Sequence, residues 1–248
     1  MSPRAIRAVL FDMDGTLVDT LPDIAAAVNL GLAELGLDTL EHAHIATLIG
    51  NGPRMLSRGV LDAQPALTEE QRHELVDQVL ACYARHYATQ AGSLGRVFPG
   101  ARECLRELRG HGLQLGVVTN ALQHLAETVL ARFGLTPYLH SIVGGDRVAK
   151  HKPHPDPLWH ACAEFGVAPE ETLMVGDSVT DVAAASAAGC AIVCVPHGYD
   201  QGRSVHELGV DVIADLWTLP AWIAALERQL GNGTTKGTKG TKEEQTFE

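Results

Sequence analysis

The chain has 248 residues, of which 46% are hydrophobic, 20% charged and 5% aromatic, an ordinary globular composition that excludes a disordered, collagenous or disulfide-scaffold protein. Thirty acidic residues against nineteen basic ones leave a formal charge of -11. That is the wrong sign for gripping nucleic acid or an anionic membrane through a general basic field.

Met1 to Arg4 passes directly into Ala8-Val9-Leu10-Phe11 and then into acids, with no apolar leader segment. No apolar run reaches the length of a membrane span. The expectation is a cytoplasmic protein. Cys82, Cys104, Cys162, Cys190 and Cys194 are odd in number and form no CxxC pair, so they read as buried reduced thiols.

Short β-branched runs at 5–11, 113–119, 141–144, 172–176, 191–195 and 210–213 alternate with helical stretches. That rhythm predicts a parallel sheet with helices on both faces. About a hundred residues separate the first run from the second, far more than one crossover helix needs. The segment between them reads as helical: Ile24, Val28, Leu32 and Leu35 fall at helix spacing, helical patterns follow at 45–49 and 55–61, and Thr68-Glu69-Glu70-Gln71 opens a longer helix with the stripe Leu75, Val79, Cys82, Tyr83. The predicted fold is therefore α/β, a Rossmann-like parallel sheet core with an inserted small helical cap domain. The core takes 1–17 and 92–230 and the cap 18–91, with hinges at 16–20 and 92–100. From 231 to 248 the Lys-Gly-Thr repeats carry no apolar periodicity and read as a disordered tail.

Acids gather where open α/β sheets bind ligands, at the carboxyl ends of strands. The first strand runs into Asp12-Met13-Asp14-Gly15-Thr16. Alternate spacing points Asp12 and Asp14 the same way, which is costly unless a cation lies between them or one holds a proton. Taken alone, the doublet also fits a turn of solvated acids. The fourth strand ends in Gly176-Asp177-Ser178-Val179-Thr180-Asp181, where Asp177 would complete an oxygen-ligand site and Asp181 opens, or caps, a helix over 182–188. Only Lys150 and Lys152 precede the lysines of the tail. By themselves, Thr119 would pass for a strand threonine and Lys152 for a solvated loop lysine.

Four motifs in order, Asp12-Met13-Asp14-Gly15-Thr16, Val117-Val118-Thr119-Asn120, Lys152-Pro153-His154-Pro155-Asp156-Pro157 and Gly176 to Asp181, resemble those of the haloacid dehalogenase superfamily over nearly the whole chain before the tail. The resemblance implies that Asp12 is a nucleophile that forms an aspartyl-phosphate. It makes Asp14 the general acid and then base. It also implies a magnesium ion held by the Asp12 side chain, the Asp14 backbone carbonyl and the Asp177 side chain, with Asp181 supporting them from behind. Thr119 and Lys152 would stabilise the phosphoryl oxygens. His151, His154 and His197 are not expected to be metal ligands. Asn120, Thr119, Lys152 and, from the cap, Arg54 are the candidate substrate contacts, although a solvated helix arginine accounts for Arg54 equally well.

Within the superfamily, Asp14 separates the chain from dehalogenases, and a cap without lysine separates it from Schiff-base phosphonate hydrolases. Leu48-Ile49-Gly50-Asn51-Gly52-Pro53, Val143-Gly144-Gly145-Asp146 and His197-Gly198-Tyr199 are similar to the phosphoglycolate phosphatase branch. Asn120-Ala121 departs from it, since relatives often carry a lysine after the asparagine. Implied are hydrolysis of a small phosphorylated metabolite, with 2-phosphoglycolate the leading candidate, and a monomer or homodimer. The alternatives are a phosphatase of a sugar phosphate, nucleotide or pyrophosphate, a phosphosugar mutase, and a non-catalytic phosphate-binding protein.

Overall fold

The computed structural model describes residues 5–199 and 201–233. Six strands, β1 (Ala8–Phe11), β4 (Gln114–Val118), β5 (Ser141–Val143), β6 (Thr172–Gly176), β7 (Ala191–Cys194) and β8 (Asp211–Val212), form an all-parallel sheet in the order β5-β4-β1-β6-β7-β8. These are the six strands expected from the sequence, trimmed at their ends by three residues or fewer. With β1 at the centre, Phe11 lies in register with Val117 on one side and Val175 on the other. The residues just past these three strands therefore meet at one sheet edge.

Alternation along the strands fills both faces. Val9, Phe11, Val117 and Val175 pack with α5 (Ala101–Gly110), α6 (Gln123–Arg132) and α9 (Leu219–Gly233) on one side. Leu10, Val118 and Met174 pack with α7 (Asp156–Phe165) and α8 (Val179–Ala188) on the other. Each fully buried large aliphatic side chain contributes about 1.5–3 kcal/mol of transfer free energy, so the central strand is the least movable part of the site. All five cysteines are buried free thiols.

Between β1 and α5 lie four helices, α1 (Leu21–Glu34), α2 (His42–Ala46), α3 (Pro53–Asp62) and α4 (Glu69–Gln90). Helix α4 packs against both α1 and α3, burying Val79, Cys82 and Tyr83 of the expected stripe together with Val76 and Tyr87, while its fourth member, Leu75, is half-buried. Its start carries the expected capping box, in which Gln71 N donates to Thr68 Oγ1 and Thr68 N to Gln71 Oε1. No helix among the described residues is long and apolar enough to cross a membrane.

The two segments read as hinges pair with each other: β2 (Val18–Asp19) runs antiparallel to β3 (Arg96–Val97). Buried Asp23, in the first turn of α1, ties them together by accepting hydrogen bonds from the amides of Ser93, Leu94 and Gly95 at 2.9–3.0 Å. At the other end, α9 continues to Gly233, three residues into the segment expected to be a tail. The remainder of that segment lies outside the described residues.

Candidate active site

Strand topology delivers Asp12 from the end of β1, Thr119 from β4 and Asp177 from β6 to one edge. Lys152, from the loop after β5, is fully buried and reaches across to them. Its Nζ donates to Asp12 Oδ1 at 2.8 Å and to Asp181 Oδ1 at 2.7 Å. A solvated loop lysine is thereby excluded. Burial opposes its charge, but the Asp12 and Asp181 carboxylates outweigh that and raise its pKa.

Asp181 does not open the helix, as the sequence suggested. Ser178 is the N-cap of α8, and Asp181 stands at its third position, completing a capping box. Asp181 Oδ2 accepts from the amides of Asp177 and Ser178 and from the Ser178 hydroxyl. With Oδ1 on Lys152, both its oxygens are committed. The helix cap and the lysine clamp are one device.

Asp177 is fixed through Oδ1 by the Thr16 hydroxyl at 2.7 Å and through Oδ2 by the Tyr199 amide at 2.6 Å. The turn that brings Thr16 there needs Gly15, whose φ is 89° and where a Cβ would lie 2.4 Å from Asp177 Oδ2. Asp14 Oδ1 accepts from the Thr20 hydroxyl at 2.6 Å. Burial raises the Asp14 pKa, against hydrogen bonds from Thr20 and Thr119 and the charge of Lys152.

Oxygen atoms of Asp12, Asp177 and Asp181 lie within 4.8 Å of one another, all buried. With Asp14, four carboxylates face a single ammonium. Burial pushes the Asp12 carboxyl up to about 7, helped by the charges of Asp181 and Asp14 against that of Lys152. Asp177 is pushed well above the carboxylate range by burial and by Asp12 and Asp181. A buried surplus of hard oxygen donors is the environment that a small divalent cation satisfies. Asp181 accepts four hydrogen bonds, which fills a carboxylate, whereas Asp177 accepts one on each oxygen and Asp12 one from Lys152, so Asp12 and Asp177 keep lone pairs that could hold such a cation.

Asp12, Asp14, Thr119 and Asn120 line a narrow, partly open cavity of about 40 Å³, faced by Ile24, Ile49, Gly50, Gly52, Leu56 and Tyr83 of the helical insertion. Of the sequence-derived substrate contacts, Thr119 and Asn120 line it, and Lys152 reaches Asp12 from beside it without lining it. Arg54 does neither. Its guanidinium pairs with Asp77 at 2.6 Å on the exposed side and lines an outer cleft instead, because α3 turns that position away from the sheet edge. Thr16, Thr20, Tyr83 and Tyr199 were given no role by sequence reasoning. Thr16 and Tyr199 stand inside quoted motifs, but nothing local tells which carboxylate they hold. His151 Nδ1 faces the Lys152 carbonyl and His197 Nε2 the Thr16 carbonyl, each on backbone rather than in the acidic cluster.

Residues 9–195 match the family model of the haloacid dehalogenase-like hydrolases. The chain is 42% identical over 211 residues to a phosphoglycolate phosphatase of Thiobacillus denitrificans, covering 85% of this chain and 92% of that one. It is 45% identical over 216 residues to a plasmid-borne phosphoglycolate phosphatase of Cupriavidus necator, covering 86% and 91%. The crystal structure of a predicted phosphoglycolate phosphatase from Haemophilus somnus superposes with a TM-score of 0.81 at 30% identity, over 88% of this chain and 97% of that one. The sheet order, the four motifs and these relatives agree: the chain belongs to the haloacid dehalogenase-like hydrolases, in the phosphoglycolate phosphatase branch.

Proposed function

We propose that this protein hydrolyses 2-phosphoglycolate to glycolate and phosphate through an aspartyl-phosphate on Asp12. The observation that carries the reading is the joint facing of Asp12 and Asp14 into one narrow cavity, with Lys152 buried against Asp12. Lys152 fixes the rotamer of Asp12 and offsets the charge of a carboxylate approaching a phosphate. A carboxylate oxygen of Asp12 forms a bond to phosphorus as the bond from phosphorus to the ester oxygen breaks. Asp14, which burial favours in its protonated form, gives its proton to the departing alkoxide. A water then attacks phosphorus, passes its proton back to Asp14, and frees Asp12 and inorganic phosphate. Thr119, with its side chain on the cavity and facing Asp14, donates to a phosphoryl oxygen.

Mg²⁺ fits the acidic cluster, and the Asp12 and Asp177 carboxylates with the Asp14 backbone carbonyl are the groups that would hold it. When bound it supplies positive charge against the phosphoryl oxygens. The helical insertion acts as a cap that excludes water from the intermediate except for the hydrolytic one. Identity to phosphoglycolate phosphatases of 42% and 45% over most of the chain supports the substrate.

The test is release of inorganic phosphate from 2-phosphoglycolate, hexose phosphates, mononucleotides and pyrophosphate, with Mg²⁺ or with chelator. The reading expects the highest kcat/KM for 2-phosphoglycolate and its loss on chelation. A different preferred ester would keep the mechanism and change the substrate. No hydrolysis of any of them would remove the catalytic reading.

A further inference from the structure

One short loop, residues 49–52, lies along the insertion side of the cavity, and three side chains from the opposite side of the cleft hold that loop down. Asn120 Nδ2 donates to Gly50 O at 2.8 Å and, through its second proton, to Lys152 O at 2.8 Å. Gln201 Nε2 donates to Ile49 O at 3.1 Å. The Thr180 hydroxyl lies 3.2 Å from Asn51 Oδ1 and 3.1 Å from Gln201 Oε1, and its one proton serves one of them at a time. Asn120, Thr180 and Gln201 follow the carboxyl ends of β4, β6 and β7, so the loop is held from three strands of the same sheet edge.

The backbone on both sides is shaped for this contact. Among the described residues Gln201 is the one non-glycine with positive φ, at 55°, a conformation that persists where surrounding contacts fix it. Opposite it, Gly50 has φ 113°, and a Cβ there would lie 1.9 Å from Gln201 Nε2. Any other residue at 50 would displace the amide that holds Ile49 O.

The wall made in this way is thin. Gly52, Pro53, Asn120 and Leu122 line both the inner cavity of about 40 Å³ and an outer cleft of about 590 Å³. Lifting the loop joins the two spaces. We propose that Asn120, Thr180 and Gln201 form a latch that keeps residues 49–52 shut over Asp12 and Asp14, and that the latch sets an upper limit on the size of the organic group accepted. The size limit rests on the phosphatase reading, whereas the latch does not.

Gln201→Gly and Thr180→Val test it in the full-length protein. Glycine suits a φ of 55° at least as well as glutamine, so Q201G removes the amide without straining the chain. In each variant, exchange of the amides of Thr47, Leu48 and Ile49, which donate within the turn that the latch pins, should quicken about tenfold while β1 and β6 stay protected. The ratio of kcat/KM for 4-nitrophenyl phosphate to that for 2-phosphoglycolate should rise about fivefold or more. Unchanged exchange at 47–49 in both variants overturns the latch. Quickened exchange with an unchanged ratio overturns the size limit. Should the wild-type protein leave 2-phosphoglycolate intact, the substrate reading fails by itself; exchange then still decides the latch, and the ratio is taken against the smallest ester that is hydrolysed.

Discussion

The sheet side and the helical side of the cleft bury opposite chemistry. At the sheet edge Asp12, Asp177 and Asp181 crowd together, with one lysine bonded to Asp12 and Asp181, and the donors that hold them come from segments following separate strands. Across from them the insertion offers Ile24, Ile49, Leu56 and two glycines, with Tyr83 as its one polar side chain on the cavity. Charge that must meet a phosphoryl group in a fixed geometry sits on the central strands, which are braced on both faces. The face that must admit and release substrate is apolar, and its loop 49–52 is held by a few hydrogen bonds to side chains. One wall performs chemistry and the other decides what reaches it.

Breaking the sheet side should give the largest effects. Asp12→Asn should lower kcat by about 10⁴-fold or more, since no other group forms the bond to phosphorus. The same variant should melt no lower than wild type in chelator, because the buried charge it removes is one that burial and neighbouring acids disfavour. Calorimetry beside the assay checks both, and a variant that turns over normally would end the covalent mechanism. Chelation should abolish turnover in the wild type, with Mg²⁺ restoring it, while far-UV circular dichroism stays unchanged. Asp14→Asn should cost about 10²–10⁴-fold in kcat. The loss should be smaller for esters whose alcohol is acidic and leaves without a proton, and equal loss for all esters would remove the acid role.

The sheet side was also the legible side. Each of its elements has a local signal: the β-branched run that ends at Phe11, the acids immediately after it, and the Gly176-Asp177 turn before α8. Parallel pairing then brings those ends together without further information. The contacts of the insertion have no such signal. Arg54 reads as a free cation until α4 puts Asp77 beside it. Asp23 reads as a helix first-turn acid, yet it holds three amides some seventy positions away. Gln201 binds a backbone carbonyl, Ile49 O, and no side-chain pattern at 49 can announce that. Asp181 was legible as a residue that caps the helix and supports the site, but its grip on Lys152 was not, because that uses the other oxygen of the same carboxylate and has no local signal.

The junction between the two sides comes next in size. Asp23→Ala leaves the amides of Ser93, Leu94 and Gly95 without their acceptor and should cost about 3 kcal/mol of stability. Proteolysis should then cut first near 92–96, before the sheet is attacked. A variant as stable as wild type would show that β2 and β3 hold the junction unaided.

Tyr83→Phe is the mildest change and the sharpest probe of the helical side. The hydroxyl has no hydrogen-bond partner among the described residues, while its ring stacks on Tyr87 with centroids 5.4 Å apart. Removing one oxygen keeps that stack and the apolar roof, so stability should change by less than about 1 kcal/mol. If the phenol donates to the carboxylate of 2-phosphoglycolate, KM for that substrate should rise about 10- to 100-fold, the worth of one hydrogen bond to a charged group. A phosphate ester without a carboxylate should be indifferent to the change, and kcat should hold for both. An equal rise in KM for the two esters would mean that the roof selects by shape alone, leaving the size of the cavity as the insertion's whole contribution to specificity.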